Sequence, residues 1–108
     1  MKPYTFIAKT TVNLKSGTII REGSRIEATW DQDGSVLSAI VKVDGQQLEK
    51  RVTNRVILAL MNKKAPTYAT LQKWDNAGYC RTILGNKTDP DGRDEYGSPS
   101  WLLAMGMI

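Results

Sequence analysis

A chain of 108 residues falls within the range of one compact domain, with room for one core and not two; 41% hydrophobic and 24% charged residues exclude the low-hydrophobicity, high-charge class that stays disordered. With no histidine, the commonest general base and transition-metal ligand are missing, which excludes Ser-His-Asp and Cys-His catalysis; Cys80, standing alone, can form no internal disulfide and supplies one of the four ligands of a structural zinc site. The net charge of +4 is uneven: 11 Lys and Arg against 6 Asp and Glu precede Ala65, and 4 against 5 follow Pro66, so the basic N-terminal half could meet nucleic acid or an acidic protein.

One domain over residues 1–108 is expected, β-rich over 1–53 and helical over 54–108. From Tyr4 to Val52 the chain reads as four or five short strands. Ile26, Ala28 and Trp30 alternate with Arg25, Glu27 and Thr29, the period of a strand with one buried face, and Leu37, Ala39, Val41 and Val43 repeat it. Ser16-Gly17, Glu22-Gly23, Asp33-Gly34 and Asp44-Gly45 punctuate the runs, the Asp-Gly pairs suiting hairpins because both residues tolerate positive φ. The predicted class is α+β: a small antiparallel meander or SH3-like barrel, packed by two short helices and a C-terminal helical turn.

At Asn54 the period changes. Val56, Ile57, Leu60 and Met61 recur at helical spacing opposite Arg55, Asn62 and Lys63, and Pro66 is the expected terminator. A second helix is predicted from Thr67 as N-cap to Gly78, with Tyr68, Leu71 and Trp74 inward. Gly85 to Pro99 is rich in Gly, Pro, Asn and Asp, hence loop or hairpin. Ser98 before Pro99 is the predicted cap of a terminal helical turn, with Trp101, Leu102, Leu103 and Met105 anchoring the tail in the core. No apolar run approaches the roughly 20 residues of a membrane span, and Met1-Lys2-Pro3-Tyr4 lacks a signal-peptide apolar region. A cytoplasmic location with no membrane partner is the expectation.

No constellation reads as catalytic, metal-binding or cofactor-binding. Asp89, Asp91, Asp94 and Glu95 surround Gly92, yet an EF-hand alignment on that glycine puts Lys87 and Ser98 where carboxylates are required, so turn formation is the preferred reading. As paired acid/base carboxylates they would need a dry pocket, which a Gly- and Asp-rich turn rarely offers. Cys80 beside Arg81 lacks a base and reads as a small core residue.

Thr70-Leu71-Gln72-Lys73-Trp74-Asp75-Asn76-Ala77-Gly78 resembles the recognition segment of excisionase-like and MerR-like winged helix-turn-helix domains. That resemblance implies DNA contacts from Gln72, Lys73 and Asn76, with Gly85–Gly97 as a wing, although this wing is net acidic; the plainer reading is a Leu71/Trp74 face packed on the strands. Lys9, Lys15, Arg21 and Arg25 are candidates to share a strand face. Lys50, Arg51, Arg55, Lys63 and Lys64 cluster around the first helix, as ordinary solvated charge or as a partner-binding patch.

The stretch from Pro90-Asp91-Gly92 through Gly97-Ser98-Pro99-Ser100-Trp101-Leu102-Leu103, with Thr70-Leu71 and Trp74, and more loosely Ala8-Lys9-Thr10-Thr11 and the turn at Gly17, resembles small uncharacterised accessory proteins of tailed phages and prophages of Gram-negative bacteria. The resemblance implies a setting but no activity and no site residues. Phage genes of this size commonly encode stoichiometric modifiers of host machinery, so the implied function is non-enzymatic binding of a host protein or nucleoprotein complex, foremost as an anti-defence inhibitor; a small DNA-binding regulator is the alternative. Such a binder needs a surface on the order of 800 Å².

Overall fold

The computed structural model describes residues 2–31 and 36–107. Its elements are β1 (Tyr4–Ile7), β2 (Val12–Asn13), β3 (Ile19–Ile20), β4 (Arg25–Thr29), β5 (Ser38–Val43), β6 (Gln46–Gln47), β7 (Val52–Thr53), α1 (Asn54–Leu60), α2 (Tyr68–Ala77), β8 (Cys80–Arg81), β9 (Lys87–Thr88) and α3 (Trp101–Ala104). The class is α+β. The main sheet runs β1-β4-β5-β6, antiparallel throughout, with β7 pairing the start of β5; β2–β3 and β8–β9 form separate two-stranded ladders. The β2–β3 hairpin interrupts the meander, because β1 skips it to pair with β4, and among the described residues the main sheet ends at β1 and β6 rather than closing into a barrel.

Alternation explains the sheet. Ile26, Ala28 and Trp30 are fully buried, as are Ala39 and Val41, and the register sets Ala28 opposite Val41. Leu37 departs from its expected inward place: it precedes β5 and is 57% exposed. Between β5 and β6, Asp44 (φ 49) and Gly45 (φ 86) both occupy the left-handed region, as a tight hairpin demands. The Asp33-Gly34 turn lies outside the described residues.

α1 ends earlier than Pro66. Asn62 takes φ 53, its N–H donates to the Ala59 carbonyl and that of Lys63 to the Leu58 carbonyl, so a left-handed asparagine closes the helix. Thr67 caps α2, its hydroxyl accepting from the Thr70 N–H, and Gly78 ends it. On its inward face Leu71 is buried and Trp74 half-buried, whereas Tyr68, in the first turn, is 66% exposed. The last helix is capped by Ser100 rather than Ser98, its hydroxyl accepting from the Leu103 N–H at 3.0 Å. Trp101 and Leu102 enter the core; Leu103 is half-buried and Met105 exposed, so the tail is anchored by two side chains. Among the described residues no helix is long and apolar enough to cross a membrane.

Candidate functional site

Two polar centres hold the fold, and the second commits a carboxylate to it. In the first, the Trp30 indole N–H donates to Asn54 Oδ1 at 2.9 Å, and Asn54 Nδ2 donates to the Val36 carbonyl at 2.6 Å, joining β4, α1 and the approach to β5. The buried amide thus satisfies a buried indole, as the penalty for an unpaired buried donor requires.

The second centre is Asp94. Its Oδ1 accepts from the Tyr96 and Ser98 backbone N–H groups; its Oδ2 accepts from the Thr82 and Ser98 hydroxyls at 2.7 and 2.6 Å and from Asn86 Nδ2 at 2.9 Å. Burial alone would raise this carboxyl's pKa, but the hydrogen bonds from Ser98, Asn86, Thr82 and Tyr96 outweigh burial and hold it below the ordinary value. Five donors saturate the roughly four lone-pair sites of a carboxylate, leaving no capacity for a metal or a transferred proton. Gly92 lets this loop close: a Cβ there would stand 2.1 Å from Thr88 Oγ1. Among the described residues no three His, Cys, Asp or Glu side chains converge as metal ligands. Cys80 is fully buried.

The basic residues fall into separate places. Lys9, Lys15 and Arg21 lie outside the strands, and only Arg25 is in one, at the start of β4, where its guanidinium meets Glu27 at 3.5 Å; the expected common strand face does not form. Arg51 is committed to the fold, donating to Asp31 Oδ2 at 2.6 Å, to Ser38 Oγ and to the Ser38 carbonyl. Lys63 donates to the Ile83 carbonyl at 2.8 Å, and burial lowers its pKa. Lys64 is exposed beyond α1. Gln72, Lys73 and Asn76 are exposed on α2, and α2 packs mainly on α3 and β8 while α1 packs mainly on β7 and β2, which is not the helix-on-helix packing that the helix-turn-helix resemblance implies.

An open groove of about 1690 Å³ runs along one side of the molecule. The β2–β3 hairpin contributes Leu14, Lys15 and Ile19, the segment after β6 contributes Leu48, Glu49 and Lys50, α1 contributes Arg55 and Val56, and the end of α3 contributes Met105. Its cations are Lys15, Lys50, Arg51, Arg55 and Lys63, against the carboxylates of Asp44 and Glu49. Arg51 and Lys63 are held as described, and Asp44 accepts from the Arg25 N–H. Lys15, Lys50 and Arg55 have no hydrogen-bond or ion-pair partner among the described residues. The surface between these charges, the floor of the groove, is mainly apolar, and Ile19 and Met105 within it are about half exposed. Of the cluster Lys50, Arg51, Arg55, Lys63 and Lys64 expected around the first helix, all but Lys64 line this groove; the apolar floor, whose residues are scattered along the chain, and Asp94 as a hydrogen-bond centre are not legible in the sequence. Spacing carries no signal for either. No protein-family model matches the chain, no curated protein matches its sequence, and no solved structure matches it.

Proposed function

We propose that this chain is a non-enzymatic, phage-type binding protein that modifies host machinery, foremost as a stoichiometric inhibitor of a defence system, acting in the host cytoplasm. The groove carries the reading: unpaired cations over an apolar floor are suited to macromolecular contact, since an exposed apolar surface rimmed by charge is stable in water only at some cost and is covered on binding. Three features agree with it: the histidine-free sequence, the saturated Asp94 carboxylate and the resemblance of the tail to phage accessory proteins. Affinity capture from host lysate, with and without nuclease, tests it. A saturating, stoichiometric target that survives nuclease is expected; turnover of a substrate by pure protein, abolished by one side-chain change, would defeat the reading.

A DNA-binding regulator is the second reading, favoured by the exposure of Gln72, Lys73 and Asn76 on a helix followed directly by the β8–β9 hairpin. Duplex DNA should then be retarded at low salt, with Lys73→Ala lowering the salt slope by about one. No retardation at micromolar protein removes it.

A further inference from the structure

We infer that the groove between the β2–β3 hairpin, α1 and the end of α3 takes an acidic polypeptide segment carrying spaced apolar side chains. This rests on the binding reading above and names the partner's chemistry. The charges are unbalanced: five cations, Lys15, Lys50, Arg51, Arg55 and Lys63, line the groove against two carboxylates, Asp44 and Glu49, and the side chains of Lys15, Lys50 and Arg55 have no partner among the described residues. A partner bearing carboxylates therefore complements the rim, and complementarity of this kind selects partners and speeds encounter.

The floor decides between two polyanions. Leu14, Ile19, Leu48 and Val56 offer aliphatic surface, and the groove's aromatic ring, Trp101, is 3% exposed. A nucleic-acid strand gains most from exposed rings on which bases stack, and this groove's one ring is buried. A peptide with apolar anchors buries that hydrocarbon while its carboxylates reach the rim.

The test is fluorescence anisotropy on the full chain with three labelled probes: a peptide of Glu and Asp interrupted by spaced Leu, the same peptide with Ser for every Leu, and an oligothymidylate of equal charge. The Leu peptide is expected to bind best, with affinity falling as salt rises. Replacing Leu by Ser and, separately, the double change Lys50→Glu/Arg55→Glu should each weaken it about tenfold. Lys73→Glu, on α2, should leave it unchanged. Because the side chains of Lys50 and Arg55 hold no partner among the described residues, the double variant should melt as the wild type does, and Ile19→Asp provides an independent variant on the floor. Equal binding of the Ser peptide, tighter binding of the oligonucleotide, no binding of the Leu peptide, or indifference to both groove variants would overturn the assignment. The two readings fail separately. A host target captured equally by wild type and double variant removes the groove assignment and leaves the binding function; peptide binding that behaves as expected with no host target captured removes the functional reading and leaves the groove chemistry.

Discussion

The sheet of residues 4–53 and the C-terminal segment of residues 80–107 are stabilised by different physics. In the sheet, alternating apolar residues bury one face, and the cross-strand register of Ile26 and Ala28 with Phe6, Tyr4, Val43 and Val41 supplies the packing. The C-terminal segment has two-residue strands and one four-residue helix, and is held by hydrogen bonds converging on Asp94 and Ser100, with Trp101 and Leu102 as its apolar anchors. Hydrophobic burial tolerates exchange of one apolar side chain for another of similar volume, whereas a polar hub depends on individual atoms.

The largest expected effect tests whether the C-terminal segment needs its apolar anchor. Trp101→Ala should destabilise by about 3–5 kcal/mol, as truncation of a buried tryptophan does, and thermal melting measures it. An unchanged melting temperature would move Trp101 from core anchor to partner contact.

Asp94→Ala sharpens the contrast by leaving the fully buried Thr82 and Ser98 without their acceptor. A loss of about 2–3 kcal/mol is expected in urea unfolding at neutral pH. The wild-type contribution is also pH-dependent. Because the folded pKa of Asp94 is depressed, its stabilisation is present above the ordinary aspartate value of 3.8 and is lost as pH falls through the lower folded value. The variant should therefore show a flatter acid limb. Identical acid limbs would mean that Asp94 is not the titrating centre.

Asn54→Ala asks whether the sheet also relies on a polar atom. It strands the Trp30 indole N–H beneath α1, and a loss of about 1–3 kcal/mol is expected from the same unfolding measurement. A cost below that of Arg51→Ala would show the indole finding another acceptor. Arg51→Ala is the smallest expected effect, about 1 kcal/mol or less, since its pairing with Asp31 is partly solvated.

The strands, the Asp44-Gly45 hairpin and the Thr67-to-Gly78 helix were legible in the chain because each depends on residues adjacent in sequence: side-chain period, tolerance of positive φ, a hydroxyl facing the first helical turn. Element boundaries differ from the local signals where two of them compete. Pro66 was the stronger helix breaker, yet Asn62 closed α1 first, and Ser100 displaced Ser98 as cap because its hydroxyl faces the Leu103 N–H while Ser98 donates to Asp94.

What the sequence determined by itself was the α+β class and the absence of any histidine-based chemistry, since period and composition are properties of the chain alone. Only the tertiary structure decided which charges are spoken for. Arg51 is separated from Asp31 by β5, and Lys63 from Ile83 by α2, so folding alone determines that these cations are engaged while Lys15, Lys50 and Arg55, around one groove, have no side-chain partner among the described residues. Charge is written in the sequence, but its availability depends on distances between residues far apart in the chain, and those exist only once the core has closed.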